Sequence, residues 1–183
     1  MDEELKTLCQ EIYQQYSEVI DILYEVGNEK KDINIQPAVD FFKTKFSDII
    51  DIRRSKGKEY SFALQSFEKG RINDRNGWGG GFPICFWFSE YYGKLKIVFE
   101  VGPFDDPTKR IKFLKKLEEV GIKIGDRAKD PLRQYTRIYT ETHEIKDWTD
   151  SEEIAEAMET MFKRDDLIAK RKMVEQAIEL IEW

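Results

Sequence analysis

The sequence predicts an α+β fold: a central antiparallel β-sheet of four or five strands covered by amphipathic helices, with the N- and C-terminal helices packed together. Three features of the chain carry this. The stretch Trp78–Val101 is its most apolar and aromatic part and alternates as a β-hairpin does. Both ends of the chain instead space their apolar residues by three and four, the period of a helix that buries one side. Between these segments stand Gly and Pro, where a strand or helix has to stop. With 183 residues there is room for one domain with a sizeable core. Its expected parts are a helical portion over 1–56, a sheet-containing core over 57–141 and C-terminal helices over 147–183.

Leu5, Leu8, Ile12, Tyr16, Val19, Leu23 and Val26 form one stripe of a first helix, which Gly27-Asn28 ends. Such a stripe packs on another helix of the same chain or on a second copy. The C-terminal segment offers a matching stripe, so the expectation is an intramolecular seam and a monomer, with a homodimer through the terminal helices as the alternative. After the polar loop Glu29–Gln36, Pro37 opens a second helix whose buried side is Val39, Phe42, Phe46, Ile49 and Ile50. Arg53, Arg54, Ser55 and Lys56 read as its cationic C-terminus and Gly57 as its cap.

Glu59–Phe67 reads as a strand: Tyr60, Phe62 and Leu64 alternate as a strand would, and Phe67 fits either period. In the hairpin, Phe82, Ile84, Phe86 and Phe88 fall on one face, and Leu95, Ile97, Phe99 and Val101 on one face of its partner, with Gly93 at the turn after Tyr91 and Tyr92. Asp105-Asp106-Pro107 starts a helix that buries Ile111, Leu114, Leu117 and Val120 and stops at Gly121. Ile122 and Ile124 read as a short strand, and Tyr135–Thr140 as the last one on its β-branched and aromatic content. Thr149 with Glu152, or Asp150 with Glu153, can form a capping pair for a helix burying Ile154, Ala157 or Met158, Met161 and Phe162. A final helix then places Leu167, Arg171, Val174, Ile178 and Ile181 on one stripe.

Net charge is −6, unevenly spread. Residues 1–51 carry 5 Lys/Arg and 12 Asp/Glu, residues 53–130 carry 17 and 11, and residues 131–183 carry 8 and 13. The middle is basic and both ends are acidic, so the middle either complements the ends or faces an anionic partner such as nucleic acid. Met1 is followed by Asp2, Glu3 and Glu4, the wrong charge for a signal peptide, and no apolar run approaches the roughly 20 residues of a membrane span. Cys9 and Cys85 read as small core residues of a reducing compartment. A cytoplasmic protein without membrane contact is expected.

Catalytic options are few. A hydrolase triad would have to use His143, the single histidine, yet both cysteines look buried and no Gly-x-Ser-x-Gly elbow exists. One histidine and two separated cysteines make a poor zinc set. Mg²⁺ chemistry needs only carboxylates, and the best placed is Glu100, with Asp105 and Asp106 nearby; Val101-Gly102 follows it, so the lysine of a nuclease Glu-x-Lys is missing. No cofactor, metal ligand or catalytic residue is assigned.

Leu-Lys-Ile-Val-Phe-Glu-Val-Gly-Pro, the helix with Arg110 and Phe113-Leu114, Tyr-Thr-Arg-Ile-Tyr, and Asp-Trp before an acidic amphipathic helix form a pattern over roughly Trp78–Phe162. It resembles the C-terminal accessory regions of uncharacterised bacterial proteins with PD-(D/E)XK restriction-endonuclease-like domains. The resemblance implies a stand-alone accessory or binding module from a bacterial or phage defence or counter-defence system. The Asp…Glu-x-Lys core of those nucleases is not found here, so it implies no catalytic residue.

Function is therefore expected to be non-enzymatic binding of a protein or nucleic acid, with a metal-dependent nuclease of degenerate motif as the alternative. The expected site is the loop Lys69–Gly81 with the hairpin turn. Arg71 and Arg75 offer anion contacts, Trp78, Tyr91 and Tyr92 offer aromatic planes, and the glycines let backbone approach a partner. A Trp78 folded back as a lid on the core is the competing reading.

Overall fold

The computed structural model describes residues 3–56, 59–69 and 83–182, with backbone alone at 3, 25–34, 51–56, 59, 68 and 69. The α+β architecture is as the sequence predicts. Five strands, β1 (Ile50–Lys56), β2 (Glu59–Leu64), β3 (Ile84–Tyr91), β4 (Lys94–Val101) and β5 (Thr136–Glu144), form one sheet in sequence order, every neighbouring pair antiparallel. The helices are α1 (Glu3–Lys45), the short α2 (Gln65–Lys69), α3 (Pro107–Glu119), α4 (Ser151–Phe162) and α5 (Asp165–Leu180).

β3 and β4 pair from Ile84↔Val101 to Tyr91↔Lys94, leaving a two-residue turn at Tyr92 and Gly93. Their φ values of 50° and 75° are both positive, the geometry that matches the twist of the flanking strands. The Gly93 N–H donates to Glu90 Oε1 at 2.8 Å, closing the turn. One face of the sheet is aromatic. Phe86 stacks on Phe99 at 4.0 Å and on Phe62 at 5.2 Å, and Phe42 of α1 reaches Phe62, Phe88 and Phe162. At β5 the register shifts between Phe99↔Tyr139 and Glu100↔Arg137, so Ile138 is the extra residue of a bulge.

Local signals place α3 and α4. Asp106 Oδ1 accepts the Thr108 N–H at 2.8 Å, and Pro107 stands in the first turn of α3. At its other end Gly121 has φ 101°, its N–H donates to Glu118 O at 3.0 Å, and the Ile122 N–H donates to Leu117 O at 2.8 Å. Those two bonds satisfy the last carbonyls in the Schellman arrangement. Asp150 caps α4 by accepting from Glu152 N and Glu153 N, while the Glu153 carboxylate accepts from Lys146 N and Asp147 N. The aliphatic members of the predicted α5 stripe, Leu167, Val174, Ile178 and Ile181, are buried.

Several expectations are corrected. α1 runs unbroken through Gly27-Asn28 and holds Pro37 inside it; one glycine costs only about 1 kcal/mol in a helix, too little to stop one that a buried segment anchors. The helix is instead irregular at Tyr16, with φ −130° and ψ 22°. Arg53–Lys56 belong to β1, paired Arg54↔Ser61, Ser55↔Tyr60 and Lys56↔Glu59, not to a helix end. Cations followed by glycine suit a hairpin tip as well as a C-cap. Glu59–Leu64 is a strand, but the chain turns helical at Gln65. Ile122 and Ile124 are buried without forming a strand, because the α3 cap directs them into the core.

The terminal seam is also corrected. α1 does pack on one of the C-terminal helices, α4, but through Ile35–Phe46, with Phe42 and Phe46 edge-on to Phe162 and Lys45 ion-paired to Glu159. The Leu5–Leu23 stripe does not take part, and the buried side of α5 contacts α3, α2 and β5 instead. Cys9 on that helix is therefore exposed rather than in the core; Cys85 is buried as expected.

Candidate functional site

Of the residues expected to form a site, Tyr91 and Tyr92 can be placed. Arg71, Arg75 and Trp78, with the loop 70–82 and the competing lid reading, lie outside the described residues. Tyr91 and Tyr92 sit at the β3–β4 turn, 47% and 86% exposed, with their rings edge to face at 4.5 Å. Lys96 Nζ lies 4.1 Å from the Tyr91 ring centroid and 4.8 Å from that of Trp87. The Trp87 indole N–H points at Glu100 Oε2, 3.4 Å away, and Arg137 Nε stands 3.9 Å from Glu100 Oε1. This Lys–Trp–Glu–Arg row runs along the sheet face opposite the phenylalanines, and strand alternation in β3 and β4 is the signal that places it.

Glu100, the best carboxylate for metal chemistry, is 8% exposed and engaged in that row. Asp106 is committed to capping α3, and the Thr108 hydroxyl and N–H hold its carboxyl below the usual carboxylate range. Among the described residues no group of three His, Cys, Asp or Glu side chains is arranged to hold a metal ion.

Among the described residues, charged groups line at least two open clefts. One of about 430 Å³ lies between Pro103, Pro107, Arg110 and Leu132. Arg110, 2% exposed, gives its donors to Gln134 O at 3.1 Å, Ala128 O at 2.9 Å and Thr136 Oγ1 at 2.5 Å; burial lowers its pKa, and Glu100 partly opposes this. It is built to hold the 128–136 segment rather than a ligand. A second cleft, about 510 Å³, lies at the α4–α5 junction beside Arg164 and Asp166. There Tyr139 Oη is 2.6 Å from Glu141 Oε2 and 3.3 Å from Asp166 Oδ1, and Arg164 pairs with Glu141 at 3.0 Å. The basic side of α3 is partly neutralised: Lys112 donates to Glu182 O, Lys116 pairs with Glu119, and nearby Lys129 pairs with Glu118 at 2.9 Å.

Among the described residues, the longest run of exposed large apolar side chains is elsewhere, on the N-terminal half of α1. Leu5, Leu8, Ile12, Tyr13, Tyr16, Val19, Ile22, Leu23 and Tyr24 are each between 45% and 72% exposed. Among the described side chains of this helix, the first buried one is Ile35. The segment Glu3–Tyr24 is thus an arm: helical, apolar along one side, and outside the core. Its periodicity is visible in the sequence, but periodicity does not say what lies opposite. No described helix is long and apolar enough to cross a membrane.

No protein-family model, curated protein or solved structure matches this chain.

Proposed function

We propose that the protein is a non-enzymatic binding module for another protein, and that the arm Glu3–Tyr24 is its recognition element. The observation that carries this is the row of large apolar side chains, each about half exposed or more, on the part of α1 that the core does not use. Contiguous apolar surface of that kind costs solubility unless a partner covers it. Glu3, Glu4, Glu11, Glu18 and Asp21 stand on the arm against the single cation Lys6, which favours a protein partner over a polyanion.

The test is affinity capture with the full chain and with the double variant Ile12→Asn, Val19→Asn. Both side chains are exposed, so the variant should melt within about 2 °C of the parent. Proteins held by the parent should be lost by the variant, while retention on DNA and RNA columns should be the same for both. A variant that captures the same proteins would refute the reading. So would one that melts far below the parent, since the arm would then belong to the core.

A further inference from the structure

The chemistry of the partner follows from where the arm's charges stand; this rests on the reading above and narrows it. Leu5, Ile12 and Val19 recur every seven residues, and Leu8 and Ile22 each follow one of them by three, giving a heptad seam with Gln15 as its polar member. Directly before each heptad's first seam residue stands a glutamate: Glu4, Glu11 and Glu18, with Glu25 before Val26. Cys9, Tyr16 and Leu23, on the other flank, carry no such charge. The irregular residue Tyr16 divides the seam, yet each half keeps its own glutamates, so the charge pattern survives the bend.

In paired helices the flanking positions face the partner's flanks and set its identity. A second copy lying antiparallel would bring glutamate flank against glutamate flank. A parallel copy would set each glutamate against an uncharged residue, and would place two acidic helices side by side without an ion pair. A helix with Lys or Arg on the facing flank gains one ion pair per heptad and offsets the arm's charge. We propose that the arm docks a basic amphipathic helix of another protein, apolar along its seam and cationic on the flank that meets Glu4, Glu11 and Glu18.

Two synthetic helices roughly four heptads long serve as probes, with the same Leu/Ile seam but flanked by Lys in one and by Glu in the other. Fluorescence anisotropy against the full chain should show the Lys probe bound at least about tenfold tighter than the Glu probe at low salt, with the gap closing at high salt. Because any acidic protein attracts a cationic peptide, the deciding variant is Glu4→Lys with Glu11→Lys and Glu18→Lys, which should reverse the preference. An unreversed preference, or equal binding of both probes through a seam that Ile12→Asn weakens, would overturn the charge proposal and leave the arm as a binding element. A parent dimer in sedimentation velocity that Ile12→Asn dissolves would overturn it in favour of a second copy. Probe binding indifferent to Ile12→Asn and Val19→Asn would overturn both this proposal and the reading beneath it.

Discussion

Phe42 of α1 and Phe162 of α4 meet edge to face with ring centroids 5.2 Å apart, and through this contact the long N-terminal helix joins the core. Phe42 also touches Phe46, Phe62 and Phe88, so it stands at the centre of the aromatic layer. Phe42→Ala should therefore cost about 3–5 kcal/mol in urea denaturation. Leu8→Ala, half exposed on the same helix, should stay within about 0.5 kcal/mol of the parent. Equal costs would mean that both halves of α1 are packed alike.

Arg110→Ala removes three hydrogen bonds and leaves the carbonyls of Ala128 and Gln134 without that partner. A loss of at least about 2 kcal/mol is expected, with faster amide exchange confined largely to 126–136. A variant as stable as the parent would show that water replaces the guanidinium at no cost.

The two glycines near the end of α3 should behave differently. At Gly121, with φ 101°, an added Cβ meets only Met173 Cε at 3.9 Å, so the cost of Gly121→Ala is backbone strain, about 1–2 kcal/mol. Gly125 has φ −72° and open space around its Cβ position, so Gly125→Ala should fall within about 0.5 kcal/mol of the parent. Thermal melts of the pair check the difference.

Burial chiefly, with the carboxylates of Glu141 and Asp166, pushes the Tyr139 phenol pKa well above its ordinary value. The fold thus favours the protonated phenol. Its contribution is fully present below the unfolded phenol pKa of about 10 and falls as pH rises beyond it. Stability measured between roughly pH 9 and 11 should decline with a slope that Tyr139→Phe reduces. An unchanged slope would place the titrating group elsewhere.

The elements legible in the sequence were those with local causes. Asp106-Pro107, Gly121, Asp150 and the Tyr92-Gly93 turn act within a few residues of themselves, and each does in the structure what its chemistry predicts. Misread elements were those with two local solutions, such as Arg53–Lys56, where cations before glycine fit a helix end or a hairpin. The stripe Leu5–Leu23 had the correct period, yet its expected neighbour, α5, had a nearer partner in α3. The turn that carries Tyr91 and Tyr92 is legible from Gly93, whereas the row of Lys96, Trp87, Glu100 and Arg137 needs the register of three strands before its members become neighbours.

The meander order of the sheet bears on how the chain assembles as it is made. Each strand pairs with the one just before it, so the sheet can zip up hairpin by hairpin over short chain separations. The contact of α1 with α4 departs from this order, because the Phe42 ring waits for Phe162, synthesised 120 residues later. At roughly 5–20 residues per second the ribosome needs about 6–24 s to supply it. Throughout that interval the aromatic layer lacks its α4 cover, and the nascent chain is at its most prone to aggregate and to be held by chaperones.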